Sequence, residues 1–361
     1  MARPTPGVDE AGAHTVATWL AGQGTTVREP LTFEVLPGGR SNLTYLMRDV
    51  RGNRWVLRQP PLARLHSSAH DVLREHRVIA ALRPTAVPVP SLVGSCADPE
   101  LLGAPIFVME YVEGTVLVDQ ATAERALGPL ARTRAGASVV EVLARLHDVD
   151  PASVGLADLG RHGDYVGRKL RGWGRQLDRL DSGGGSGGGR DSGGDGAMRD
   201  MLRDVLRRLA ASMPECAEHV IVHGDFRPGN MIVGADGSIR ALLDWELCAL
   251  GDPLADLGWL LAYWGSGTAV PLPLPVPTRA AGFPSRDAVL TRYADLTGRS
   301  VDDIEYYVAL ALWRLAVILS GVRARLRAGA YGGSGRDQHG LAERIATIAE
   351  AAGAATRAAG R

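Results

Sequence analysis

The apolar positions of this chain change their period near residue 112. Before that point they fall in short runs with strand character, at 31–36, 43–47, 55–58, 92–96 and 106–112, punctuated by turn signals such as Arg51-Gly52-Asn53 and Glu113-Gly114. One helical pattern interrupts them over 67–82, where Val72, Glu75, Val78, Ile79 and Leu82 recur at three- and four-residue steps. A short helix over 13–20 precedes the first strand, with Val16, Trp19 and Leu20 on one face. The order strand, strand, strand, helix, strand, strand predicts a small α+β lobe over 1–111 with an antiparallel sheet.

From 112 to 361 the pattern is mainly helical and predicts a larger second lobe. Helices are expected over 123–147 (divided at Gly128-Pro129), 165–180, 197–213, 254–264, 285–297 and 301–327, with a terminal helix from Gln338 that frays into an Ala-rich tail. Residues 182–196 are almost entirely Gly, Ser and Asp and read as a flexible surface insert. A proline-alternating loop is expected over 271–277 and a turn at Gly251-Asp252-Pro253.

One segment breaks the helical pattern. Val222-His223-Gly224-Asp225-Phe226-Arg227-Pro228-Gly229-Asn230 is a loop, and Met231-Ile232-Val233 reads as a strand. Gly234-Ala235-Asp236-Gly237 is a turn, and 239–243 is the returning strand, ending at Asp244. A hairpin brings its open ends together, so Asn230 and Asp244 should lie side by side with Asp225 a loop's width away. Two carboxylates and an amide oxygen converging in this way suit one or two Mg²⁺ ions and a hydroxyl nucleophile. Upstream, Gly38-Gly39-Arg40-Ser41-Asn42 connects two strands; it is either a backbone cradle for phosphates or an ordinary hairpin turn.

Composition narrows the partners. The 361 residues carry a formal net charge of zero, which gives no bulk electrostatic case for nucleic acid or an anionic membrane. The three cysteines, Cys96, Cys216 and Cys248, form no CxxC pair, so neither a disulfide framework nor a zinc site is implied, and a reducing, cytoplasmic setting fits. The first twelve residues lack a basic segment followed by an apolar run, and no uninterrupted apolar stretch reaches the ~18 residues of a membrane span. Lys169 is the single lysine. A site that would normally use lysine must therefore use arginine or do without.

These strings carry a family likeness. A strand-rich lobe, a Met109-Glu110-Tyr111 connector and a helical lobe resemble the bilobal protein-kinase-like fold, α+β in class. His223-Gly224-Asp225, Asn230 and Asp244 resemble the aminoglycoside phosphotransferase (choline kinase-like) family. Gly38-Gly39-Arg40-Ser41-Asn42, Trp55-Val56-Leu57-Arg58, the string from Val108 to Gly114, Leu243-Asp244-Trp245-Glu246 and the string from Gly251 to Leu257 look like the phosphotransferase modules fused to, or encoded beside, acyl-CoA dehydrogenases. The likeness runs over about 33–264.

The resemblance implies an ATP- and Mg²⁺-dependent small-molecule kinase. Asp225 matches the catalytic aspartate that accepts or orients the proton of an acceptor hydroxyl, and Asn230 and Asp244 match the metal ligands. Arg58 stands where the fold usually has lysine, to pair with the α/β-phosphates while Glu75 holds it. Arg227 is expected at the γ-phosphate or as a solvated loop residue. Gly39, Ser41 and Asn42 are expected at the phosphates, and the backbone of Glu110 to Val112 at the purine. His223 is expected to shape the loop, and Asp252 and Asp256 to hydrogen-bond it. Trp259 and Tyr263 are expected in the core, with lining of an acceptor pocket the other reading.

The arginines beyond Trp264 favour an anionic or neutral acceptor, with a hydroxyacyl-CoA or hydroxy acid as the guess the likeness prompts and a functional link to acyl-CoA dehydrogenases. An antibiotic O-phosphotransferase and a nucleotide-binding module with little transfer activity are the alternatives.

Overall fold

The computed structural model describes residues 8–36, 42–60, 71–160, 163–182, 193–216, 218–265, 272–327 and 335–359. Strands β1 (Thr32–Val35), β2 (Leu43–Arg48), β3 (Arg54–Gln59), β4 (Leu92–Cys96) and β5 (Ile106–Glu110) form one antiparallel sheet in the order β1-β2-β3-β5-β4. The expected succession of strands and the antiparallel sheet are therefore observed. Helix α1 (Glu10–Gly22) covers one face: Val16, Ala17 and Leu20 pack with Tyr45, Met47, Trp55, Leu57 and Val108. On the other face Val56, Phe107 and Met109 meet Val72, Val78, Ile79 and Leu82 of α2 (Val72–Leu82).

Because side chains alternate along a strand, Arg58 shares the α2 face with Val56. Glu75 belongs to the buried stripe of α2, so the strand period and the helix period together aim these two residues at each other. The first part of the expected 67–82 helix lies outside the described residues; Asp71 caps its start, accepting from the Arg74 N–H at 2.9 Å.

The rest of the chain is helical: α3 (Gln120–Ala126), α4 (Pro129–His147), α5 (Tyr165–Ser182), α6 (Gly193–Ala211), α7 (Pro253–Ala262), α8 (Arg286–Thr297), α9 (Ile304–Arg327) and α10 (Gly335–Ala359). Helix α9 is the axis, and α10, α7, α5 and α6 pack around it. By length and hydropathy α9 could cross a membrane, but 61% of its apolar window is buried inside this fold. That marks the core helix of a bundle.

Three expectations are corrected. The Ala-rich tail does not fray: α10 runs to Ala359, with Ile345, Ile348, Ala349 and Ala352 buried. Alanine is a strong helix former, and packing on α9 and α6 holds the tail in place. The expected insert is shorter, since α5 extends to Ser182 and α6 starts at Gly193; residues 183–192 lie outside the described set. Two three-residue strands, β6 (Val220–Val222) and β9 (Ala249–Gly251), pair beside the expected hairpin β7 (Met231–Val233)–β8 (Ile239–Leu242). Gly251 therefore ends a strand before the turn, with the Tyr165 ring 2.7 Å from where its Cβ would be.

Candidate active site

The loop before β7 is set by α7. Asp256, in its first turn, accepts the N–H groups of His223 (2.5 Å) and Gly224 (2.8 Å). Burial works against the charge of Asp256, but the nearby His147 and His223 rings and the Gly224 N–H outweigh it and hold the carboxyl below the usual range. Gly224 turns with φ +81°, and a Cβ there would lie 2.6 Å from the Leu247 carbonyl oxygen, so glycine is required. His223 is fully buried. Its Nδ1 accepts the Asp225 N–H (3.2 Å), which leaves Nε2 to donate to the Leu243 carbonyl (2.9 Å). With both nitrogens committed, His223 braces the loop as expected. Asp252 does something different from the loop contact expected of it: it caps α7 and accepts the Tyr307 hydroxyl (2.5 Å).

The loop presents Asp225. One carboxylate oxygen accepts Trp259 Nε1–H (2.6 Å), the other accepts Asn230 Nδ2–H (2.7 Å), and Arg227 Nε lies 3.3 Å from both. Arg227 is only part-exposed and lies 5.5 Å from the centre of the Tyr263 ring, so it is not a solvated loop arginine. Trp259 was expected in the core and is buried, but its indole N–H reaches this carboxylate. The signal was present in the spacing. Asp256, Trp259 and Tyr263 recur at three and four residues, so an Asp256 that touches the loop brings Trp259 to it.

The hairpin closes as expected. Met231 pairs with Leu242, and the Leu243 N–H donates to the Asn230 carbonyl (2.8 Å), so Asn230 and Asp244 flank its base. The Asn230 Nδ2 is spent on the Asp225 carbonyl and carboxylate, which leaves Oδ1 as its acceptor atom. Asp244 sits in the left-handed region, φ 70° and ψ 60°, a conformation that costs a non-glycine residue about 1–3 kcal/mol. Among the described residues no group of three or more His, Cys, Asp or Glu gathers at one point. One carboxylate with an amide oxygen is a donor set that Mg²⁺ completes with phosphate oxygens and water.

Arg58 bridges to this end of the hairpin. One guanidinium nitrogen contacts Glu75 at 3.0 Å and the other contacts Asp244 at 3.1 Å. The Glu75 pairing was expected; the Asp244 contact was not. The side chains of Arg58 and Glu75 are 8% and 1% exposed, so this is a desolvated pair. Burial pushes the Glu75 carboxyl up to about 7 against the pull of Arg58, and the negative charges of Asp244 and Glu246 push the same way. Burial opposes the charge of Arg58, but Glu75 and then Asp244 overcome it and raise its pKa. One cation shared between two carboxylates stabilises itself more than it stabilises either partner. Arg74 adds a second tie, donating to the carbonyls of Cys248 (2.5 Å) and Glu246 (3.3 Å).

Gly39 and Ser41 lie outside the described residues. Asn42 is buried at the start of β2, and its side-chain amide finds no partner among the described residues. The Glu110 N–H donates to Ser91 O (2.9 Å) and the Tyr111 N–H to Arg54 O (3.4 Å), so neither N–H is left for a purine. Any purine contact from this connector falls to carbonyls and to Val112. Lys169 sits on α5, away from β3; its Nζ is 5.2 Å from the Tyr165 ring centre, and burial, then Arg314, push it down to about 8.

Part of the arginine-rich region beyond Trp264 is paired. Arg286 pairs with Glu305, Arg292 with Glu141 and Arg299 with Glu218, while Arg279 donates to the Leu272 carbonyl. Arg314 instead reaches the loop, donating to Gly224 O at 2.8 Å. Of that region, Arg314 joins Arg227 beside Asp225.

A sequence model described as the Phosphotransferase enzyme family (APH) matches residues 32–290. Acyl-CoA dehydrogenase family member 10 of Mus musculus is 30% identical over 337 residues, covering 90% of this chain but 30% of that protein. Acyl-CoA dehydrogenase family member 11 of Gallus gallus is 30% identical over 324 residues, covering 86% of this chain and 39% of that protein. The chain thus spans well under half the length of these curated relatives. The crystal structure of a candidate aminoglycoside phosphotransferase from Ralstonia eutropha superposes with a TM-score of 0.75 at 27% identity, covering 95% of this chain and 98% of that one.

Proposed function

The chain belongs to the phosphotransferase enzyme family, and from that premise we propose that it transfers the γ-phosphate of ATP to the hydroxyl of an anionic or neutral small molecule. The observation that carries this reading is the Asp225 carboxylate, held by three donors beside a hairpin whose base pairs Asn230 with the approach to Asp244. In this reading Asp225 orients the acceptor hydroxyl and takes its proton as the oxygen attacks phosphorus. Oδ1 of Asn230 and the carboxylate of Asp244 would hold Mg²⁺, which when bound neutralises charge on the phosphates. Arg227 lies close enough to Asp225 to offset charge that develops on the transferred group. Arg58, anchored by Glu75, is the cation for the α/β-phosphates in place of lysine.

For the acceptor, a hydroxyacyl-CoA or related hydroxy acid is the reading we favour. Arg227 beside Asp225 suits a negative group better than the many ammonium groups of an aminoglycoside. The relatives named for acyl-CoA dehydrogenases point the same way and raise a functional link to such enzymes. A second reading, antibiotic O-phosphorylation, draws on the Ralstonia eutropha structure. A panel of hydroxyacyl-CoAs, hydroxy acids and aminoglycosides, scored by ATP-dependent mass gain for wild type and Asp225→Ala, separates them. Efficient phosphorylation of aminoglycosides with none of the acyl-CoA class overturns the acceptor assignment. Equal turnover in Asp225→Ala overturns the mechanism, and nucleotide binding with neither ATP consumption nor an acceptor modified points to the module of little transfer activity.

A further inference from the structure

Asp225 is held from one side by residues of its own loop, but the donor on its other side has a support of its own. Trp259 Nε1–H donates to Asp225 Oδ1 at 2.6 Å. The guanidinium of Arg314 lies over that indole, 4.1 Å from its centre, with Trp173 on α5 at 5.5 Å. The same Arg314 donates to the carbonyl of Gly224, the residue immediately before Asp225, at 2.8 Å. Arg314 therefore touches the backbone entering Asp225 and the side chain that orients its carboxylate. The helices allow this because α7 and α9 meet closely at Gly258: a Cβ there would fall 2.6 Å from the Tyr307 backbone. Tyr307 and Arg314 are two turns apart on one face of α9, which carries Arg314 back to the loop.

We propose that Arg314 is a positioning residue for Asp225, acting through Trp259 and through the Gly224 carbonyl. A cation over an indole face is attracted to it, and in a part-desolvated site that attraction is strong enough to fix the ring. It also polarises the ring so that the N–H at its edge donates more strongly. Arg314 is thereby distinct from Arg227, which contacts the carboxylate directly.

The test compares Arg314→Met, Trp259→Phe and the double variant, with Arg314→Lys as the conservative substitution. The activity arm rests on the kinase reading; the spectroscopic arm does not. In steady-state transfer, Arg314→Met and Trp259→Phe should each lower kcat roughly 10- to 100-fold, the loss that misplacing a reacting group produces. KM for ATP should move by less than about twofold, since neither residue touches the phosphate side. The double variant should lose less than the product of the two single losses, because one of the two routes of Arg314 runs through Trp259. Arg314→Lys, which keeps a charge and a donor, should lie closer to wild type than Arg314→Met. In the ¹⁵N-edited spectrum of the ligand-free protein, the Trp259 indole resonance, identified by its loss in Trp259→Phe, should shift in both Arg314→Met and Asp225→Asn. Additive losses, an indole resonance unmoved by Arg314→Met, or a change confined to acceptor KM each overturn the proposal. If wild type transfers phosphate to nothing on the panel, the kinase reading fails separately and the indole resonance alone decides.

Discussion

Asp225 and Asp244 stand on either side of the same hairpin, yet the chain holds them by opposite means. Asp225 is held by Arg227 two residues on and Asn230 five residues on in its own loop, and by Trp259 from the helix that follows the hairpin. Asp244 is held by Arg58, which is 186 residues away on β3 and is itself anchored by Glu75 on α2. The first centre can assemble once the hairpin packs on α7. The second exists only when the strand-rich part docks on the helical part. The difference separates two tasks. A group that handles the acceptor proton is built in one piece, while the phosphate-side cation depends on how two parts of the molecule sit together.

Substitutions at the two centres should therefore separate chemistry from assembly. The largest effect is expected for Asp225→Asn, which keeps shape and removes the charge: kcat should fall between about 10²- and 10⁴-fold. Nucleotide affinity and the denaturant midpoint should stay near wild type, as read by titration and unfolding; a parallel loss of nucleotide binding would merge the two centres. Glu75→Ala should do the reverse. It leaves the buried Arg58 guanidinium with Asp244 alone and should cost about 3–5 kcal/mol of stability, measured by denaturant unfolding. Nucleotide affinity should weaken with it, and Glu75→Gln should be milder on both counts because an amide oxygen can still accept.

The pH dependence follows from the same group. The folded Glu75 carboxyl, pushed up to about 7 by burial, holds its proton more tightly than the unfolded chain at 4.5. Its stabilising contribution is then fully present below pH 4.5 and is lost as pH rises through 7. That window is worth on the order of 3 kcal/mol at most. Unfolding midpoints of wild type and Glu75→Gln across the window should diverge, wild type falling faster; parallel curves would show that Glu75 stays ionised throughout. The smallest effect is expected at Arg77–Asp158, which also joins α2 to the helical part but is 49% and 68% exposed. Asp158→Asn should alter neither transfer nor the midpoint measurably, since exposed pairs contribute little. A clear loss there would mean that any contact across the two parts matters, buried or not.

The succession of strands and helices and the hairpin were legible in the chain because each follows a local rule, and the pairing of Arg58 with Glu75 was implied by the family resemblance. Alternation puts Arg58 on the α2 face, helical spacing puts Glu75 in the buried stripe, and Asp-Gly at 236–237 closes a hairpin whose ends must meet. Strands β6 and β9 were not legible, since three residues are too few to show a period and no turn joins the two as Asp236-Gly237 joins β7 to β8. The arginines beyond Trp264 could be counted but not placed. Sequence counts charges but not their partners, and Glu305, Glu141 and Glu218 reach the arginines only after folding.

What the sequence determined by itself was the chemistry on offer: Asp225, Asn230 and Asp244 at the ends of a hairpin, and an arginine where no lysine is available. Tertiary structure alone decided how those groups are held. Trp259 could have been any buried helix aromatic until α7 packed on the loop, and Arg314 any arginine on α9 until Gly258 let the two helices close. Hydrophobic periodicity says which face of a helix is buried and is silent about which neighbour buries it. Spacing puts Asp256, Trp259 and Tyr263 on one face of α7, and only packing decides that this face meets Asp225.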